Sequence, residues 1–92
     1  AAVAAARQCA INVLAVANGE LGDLGKIRRV VRLGVFVASE AGWTEQPKVA
    51  NGASELMMAV FGDAGKHARA AVGTNVLPLG ATVEVEAVLE VG

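Results

Sequence analysis

The protein has 92 residues, 54% of them apolar, and its eight Lys and Arg residues against nine Asp and Glu residues give a formal net charge of −1. This length predicts one small domain, and the charge argues against a protein that binds nucleic acid mainly by neutralising phosphates, because such binding needs an excess of basic residues on one face. The single cysteine, Cys9, excludes a disulfide within the chain, and the single histidine excludes a Cys/His cluster for a structural zinc ion.

The first predicted element is a helix from Ala2 to about Asn18, ended by Gly19. Alanine-rich sequence favours helix, and small apolar residues recur at the three-and-four spacing of a buried stripe. These residues are Val3, Ala6, Ala10, Val13, Leu14 and Ala17. The segment is too short and too interrupted by polar residues to span a bilayer, and it lacks the basic start of a signal peptide. We therefore expect a cytoplasmic protein without a membrane segment, with Cys9 as a packing residue.

The next predicted element is a strand over residues 27–39, reached through a glycine-rich loop over residues 19–25. Residues 30–37 are apolar on both alternating faces, which is typical of a strand covered on both sides. We expect helices on one face and a second copy, or a missing segment, on the other. The strand entry holds the one basic cluster: Lys26, Arg28, Arg29 and Arg32. A solvated strand entry is the favoured interpretation, because no aromatic residue interleaves the cluster to stack on bases.

A second helix is predicted from Thr44, as N-cap, to Gly62. Pro47 suits the first helical turn, and apolar residues follow at helical spacing. Asn51-Gly52 is alternatively a hairpin turn, although no alternating strands flank it.

Two strands over residues 67–76 and 81–91 are predicted to form a hairpin through the four-residue loop 77–80. The last strand alternates apolar residues with acidic ones, so one of its faces is core and the other acidic. Pairing Val76 with Ala81 places Arg69 on the same face as Glu84 and Glu86, and a slip of one residue reverses this. The predicted order is thus helix, strand, helix, hairpin.

Arg69 and the two glutamates are the polar constellation with the clearest chemical potential. A strand arginine presents a planar fork of donors that matches a carboxylate or phosphate, and a nearby glutamate can hold water or move a proton. The alternative is that Arg69 simply pairs with Glu84 or Glu86 across the hairpin. His67, two residues earlier, is interpreted as a surface or hydrogen-bonded residue rather than a base or ligand.

Several stretches, in matching order and spacing, resemble the RidA/YjgF family of small trimeric proteins, known for deaminating reactive enamine and imine intermediates. They are residues 5–10, 27–37, 45–53 (Glu-Gln-Pro-Lys-Val-Ala-Asn-Gly-Ala), 67–72 (His-Ala-Arg-Ala-Ala-Val), Leu77-Pro78-Leu79 and 83–87 (Val-Glu-Val-Glu-Ala). The resemblance implies an α+β fold similar to chorismate mutase, with two helices on one face of a sheet. It further implies that three copies close into a barrel with clefts between subunits. It also implies that residues 1–92 form a single family domain without its opening strands.

The same resemblance implies roles for individual residues. Arg69 stands at the place of the family's carboxylate-binding arginine, nine residues before Pro78, with Ala70 replacing the usual serine. Glu84 stands at the place of the acid/base glutamate and Asn51 at that of a helix asparagine lining the cleft. Ala71 stands where many members have a cysteine, a change that affects the shape of the substrate site.

Three functional hypotheses follow from this resemblance. The first is a deaminase that hydrolyses 2-aminoacrylate-like enamines and imines to 2-keto acids and ammonia, chemistry facile enough to need no metal or cofactor. The second is a trimeric protein that binds a small carboxylate without turnover. The third is RNA cleavage, because the Glu-Gln-Pro-Lys-Val pattern is similar to a subgroup described as endoribonuclease-like. It ranks last, since the acidic face of the last strand repels phosphate.

Overall fold

The protein folds as two helices packed on one face of a three-stranded sheet, in a computed structural model that describes residues 1–92. The helices and strands follow one another as α1 (Ala2–Leu21), β1 (Ile27–Ala38), α2 (Gln46–Phe61), β2 (Ala68–Thr74) and β3 (Val83–Val91). Short 3₁₀ turns precede β1, follow α2 and precede β3. The predicted α+β class, the placement of two helices on one face of the sheet and the order of the five elements are confirmed.

Both helix boundaries differ slightly from the predicted ones. Helix α1 continues through Gly19 to Leu21 and is capped by Gly22, whose φ of 79° is the left-handed conformation that glycine adopts without strain. Helix α2 begins after Glu45 rather than Thr44, with Pro47 in the first turn as predicted. Asn51-Gly52 lies inside α2, so the hairpin-turn alternative is wrong.

The predicted hairpin between the last two strands is also wrong. The strand order is β2-β1-β3, with β2 parallel and β3 antiparallel to β1. Because β1 is apolar on both faces, it takes the centre of the sheet and pairs along both edges. Helix α2 is the crossover that a parallel pair requires, and residues 75–82 carry the chain from one edge of the sheet to the other.

This topology separates the residues that the hairpin placed together. In the register, Arg69 lies beside Leu33, which is fully buried under the helices. Glu84 and Glu86 lie beside Phe36 and Gly34 instead, one residue out of phase with Leu33 and therefore on the opposite face. The expectation that Arg69 shares a face with Glu84 and Glu86 is wrong.

The core lies between the helices and the sheet and is built mainly of small side chains. Thirteen buried residues form one cluster, in which alanines of both helices pack on Leu33, Val35 and Val37 of β1. The opposite face of the sheet is uncovered, with Val72 and Val88 about half exposed. Neither helix is apolar enough over a sufficient length to cross a membrane.

Candidate functional site

Arg69 lies on the edge strand β2 and reaches toward α2. Its Nη1 donates to Asn51 Oδ1 at 2.8 Å and to Ser54 Oγ at 3.3 Å. Asn51 and Ser54 are three residues apart, which places them on the same side of α2, one above the other. The helix therefore holds two neutral oxygen acceptors against one nitrogen of the guanidinium. Asn51, predicted by resemblance, is brought to Arg69 by this packing.

A tight contact between the helices sets the position of α2. A Cβ at Gly52 would lie 2.2 Å from the backbone oxygen of Val3, so only glycine permits this approach. Asn51 precedes that contact in the chain, and the position of its amide thus depends on the packing of α2 against α1.

Ser54 and His67 extend the contacts of Arg69 into the protein. Ser54 Oγ is 2.9 Å from His67 Nε2, and His67 Nδ1 contacts the backbone oxygen of Gly65. His67 is therefore hydrogen-bonded, in agreement with its sequence interpretation. Sequence reasoning missed Ser54, although its spacing of three from Asn51 on a predicted helix is a signal that could have found it.

No carboxylate lies within ion-pair distance of Arg69. The four ion pairs of the protein join other residues: Arg29–Glu90, Arg32–Glu86, Lys48–Glu45 and Lys66–Asp63. The alternative that Arg69 simply pairs with Glu84 or Glu86 is therefore wrong. Two members of the basic cluster, Arg29 and Arg32, are instead neutralised by carboxylates of β3, as is typical of a solvated strand entry.

Glu84 lies on the other edge strand, β3, and takes part in none of those ion pairs. It lines an open groove of about 430 Å³ between α1 and β3, together with Cys9 and Val13. Burial raises the pKa of the Cys9 thiol, and the nearby negative charge of Glu84 raises it further. Cys9 is thus a poor nucleophile, as its position among alanines predicted.

Arg69 and Glu84 are consequently separated within one chain. They lie on opposite edges of the sheet and on opposite faces. Ala71 lies two residues beyond Arg69, beside the buried Val35, and packs against the core. No three His, Cys, Asp or Glu side chains are close enough together to hold a metal ion.

Comparison with protein families gives one match over nearly the whole chain. Residues 1–91 match the family described as YjgF/chorismate mutase-like, putative endoribonuclease. Protein TCP17 of Trypanosoma cruzi is 54% identical over 88 residues, a region that includes 95% of this chain and 55% of TCP17. The chain thus spans about half the length of this curated relative.

Two solved structures are similar to the whole chain. The protein Atu1372 of Agrobacterium tumefaciens, described as having unknown function, superposes with a TM-score of 0.96 at 51% identity, over 99% of this chain and 59% of its own. A putative endoribonuclease from Shewanella oneidensis superposes with a TM-score of 0.93 at 31% identity, over 98% of this chain and 60% of its own. The two-helix, three-stranded unit is therefore common to proteins considerably longer than 92 residues.

Proposed function

Since this chain belongs to the YjgF/chorismate mutase-like family, we propose that Arg69 binds the carboxylate of a small 2-imino or 2-enamino acid, which the protein hydrolyses to a 2-keto acid and ammonia. One observation carries the proposal. Arg69 is an exposed strand arginine whose contacts are the neutral oxygens of Asn51 and Ser54, so its positive charge is not matched by any carboxylate of the chain.

The free edge of the guanidinium suits a carboxylate. A guanidinium has five N–H donors, and the two on Nη1 of Arg69 are directed to Asn51 and Ser54. The Nε and Nη2 donors remain, and together they match the two oxygens of a carboxylate in a bidentate pair. Such a pair orients the substrate with its reacting carbon and nitrogen at a fixed distance from the arginine.

In the proposed reaction, Glu84 carries out the proton transfers. Its carboxyl group donates a proton to the terminal carbon of the enamine, which converts the C=C bond into a C–C bond and the C–N bond into an imine. The resulting carboxylate then takes a proton from water as the water oxygen attacks the imine carbon. Loss of ammonia from this adduct leaves the 2-keto acid, so that one water is consumed and Glu84 ends in its starting state.

Arg69 and Glu84 are brought together in this proposal by neighbouring copies of the protein. A repeated contact between edge β2 of one copy and edge β3 of the next closes a ring in which each cleft receives Arg69 from one copy and Glu84 from its neighbour. The uncovered, partly apolar face of the sheet around Phe36 and Val72 supports such an assembly. We propose a homotrimer, as the family resemblance implies.

The test is a coupled assay in which a threonine dehydratase generates the enamine and formation of 2-keto acid is followed. Replacing Arg69 by alanine removes two charge-assisted hydrogen bonds, together about 3 kcal/mol, which predicts an approximately 100-fold loss of kcat/KM. Glu84→Gln is expected to lower kcat, because the amide cannot exchange the proton. Arg7→Ala, at an exposed arginine of α1, is the matched control. Keto-acid formation no faster than in buffer, or undiminished by Arg69→Ala, would refute the deaminase.

A second candidate is a protein that binds a small carboxylate without turnover. The separation of Glu84 from Arg69 within one chain favours this candidate. A single copy supplies the contacts that hold Arg69, whereas Glu84, the proposed acid/base group, lies on the other edge of the sheet. A carboxylate that raises the melting temperature without any deaminase activity selects this candidate.

RNA cleavage is suggested only by the description of the family and of the Shewanella oneidensis protein. Glutamates neutralise Arg29 and Arg32, so these two members of the basic cluster offer little free positive charge to phosphates. RNA that stays intact with highly purified protein would exclude this function.

A further inference from the structure

We propose that Ser54 and His67 are positioning residues, which fix the guanidinium of Arg69 so that its free edge points toward the incoming carboxylate. This inference rests on the proposed function of Arg69. It is carried by a continuous series of hydrogen bonds from Arg69 through Ser54 and His67 to the backbone at Gly65.

For a neutral imidazole, the two ends of this series determine the direction of every hydrogen bond in it. The backbone oxygen of Gly65 can only accept, so His67 Nδ1 carries a proton and donates it. In the neutral ring, Nε2 then accepts from the Ser54 hydroxyl at 2.9 Å. The Ser54 oxygen thus presents its lone pairs to Arg69 Nη1, a donor with no accepting capacity, at 3.3 Å.

The series is anchored in the rigid part of the molecule. Gly65 is buried, and a Cβ at this position would lie 2.3 Å from the backbone oxygen of Met57, which is itself a fully buried residue. Ser54 and His67 are half-buried, whereas Arg69 is exposed. The contacts therefore run from the core outward and end on a side chain that would otherwise be free to change rotamer.

The consequence for binding is pre-organisation. With Asn51 and Ser54 each accepting from Nη1, both hydrogens of that nitrogen are engaged and the guanidinium plane is fixed at two points. Loss of the Ser54 contact leaves Asn51 as a single point about which the plane can rotate. A carboxylate must then restrict that rotation on binding, which weakens its affinity.

Five variants and the wild type test the inference, with 2-oxobutanoate as the probe in calorimetric titrations. Ser54→Ala and His67→Phe are each expected to weaken binding about three- to tenfold, the effect of one hydrogen bond. Because the two residues act in series, the double variant is expected to bind no more weakly than either single one. Ser54→Thr, which keeps the hydroxyl, is expected to bind within about twofold of wild type, as is Ser39→Ala, the same change at the other serine of the chain.

Two NMR measurements test the positioning without any ligand. Nitrogen chemical shifts of His67 are expected to show the proton of the neutral ring on Nδ1, and relaxation of Arg69 Nε is expected to show an ordered side chain that becomes mobile in Ser54→Ala. A proton on Nε2, or equal order of Arg69 in wild type and Ser54→Ala, would overturn the inference.

The outcomes separate this inference from the proposed function. If wild type binds the probe, Arg69→Ala does not, and Ser54→Ala binds like wild type, the positioning role is wrong and the carboxylate site stands. If wild type does not bind, or Arg69→Ala binds equally well, the proposed function is wrong, and the order of Arg69 still decides whether Ser54 and His67 position it.

Discussion

Replacing Gly52 with alanine tests the helix contact that places Asn51 beside Arg69. The added methyl group would lie 2.2 Å from the backbone oxygen of Val3, more than 1 Å inside a normal contact distance, so the two helices must separate. Overpacking of this kind costs about 1–3 kcal/mol and more where backbone must move. The helix propensity of alanine offsets at most about 1 kcal/mol of that cost. We expect a net loss of about 2 kcal/mol, or roughly 10 °C in melting temperature.

Gly19→Ala is the matched control. Gly19 is also a helical glycine, but a Cβ added there would have no neighbouring atom within 4 Å. At Gly19 the higher helix propensity of alanine is not opposed by any steric clash, so we expect a stabilisation of about 0.5–1 kcal/mol. Both variants are compared with wild type by urea and thermal unfolding, and binding of 2-oxobutanoate is measured in parallel. A Gly52→Ala protein as stable as Gly19→Ala would show that the contact does not determine the packing of α2.

Three further predictions concern the core, the thiol and the sheet surface. Leu33→Ala, at a fully buried position of β1, is expected to lower the free energy of unfolding by about 2–5 kcal/mol in urea titrations; a loss below 1 kcal/mol would contradict the packing described. Cys9 is expected to react slowly with iodoacetamide near neutral pH and faster in Glu84→Gln, because both burial and the Glu84 charge raise the pKa of its thiol; equal rates would refute the electrostatic part. The hydrogen bond and charge of Arg29 lower the pKa of Glu90. The stabilisation from this pair is therefore present at neutral pH and is lost as the pH falls through the lowered pKa. In Arg29→Gln, the midpoint of the Glu90 titration followed by NMR should move to higher pH.

Local patterns predicted the elements, and their pairing was the part that needed tertiary information. The apolar run of residues 30–37 located β1 and indicated that both faces of this strand are covered by other parts of the structure. The loop at residues 77–80 has the length of a hairpin turn, and nothing in its composition tells a turn from a passage between the two edges of a sheet. The topology follows from the preference of β1, the most apolar strand, for the centre of the sheet. That preference becomes visible only when all three strands are compared.

The geometry of the candidate site differs from the one that the predicted hairpin implied. The resemblance implied a place in the substrate cleft for both Arg69 and Asn51, and the structure shows their side chains in contact. Glu84 is distant from them in one chain because β3 pairs with the other edge of β1, and the predicted pairing of β2 with β3 was therefore enough to misplace it. Ser54 stayed unnoticed because its spacing of three from Asn51 gains meaning only once Arg69, the partner on another element, is known to lie beside that side of the helix.

The central place of β1 also has a consequence during synthesis. Strand β1 leaves the ribosome before either of its partners, β2 and β3. Until these two strands are synthesised, its β-prone apolar segment stays exposed. Such segments aggregate unless charged residues flank or interrupt them. Arg29 and Arg32 fall at those positions and meet Glu90 and Glu86 only when β3 arrives. The same arginines are therefore placed to oppose aggregation of the nascent strand before they pair with glutamates in the finished sheet.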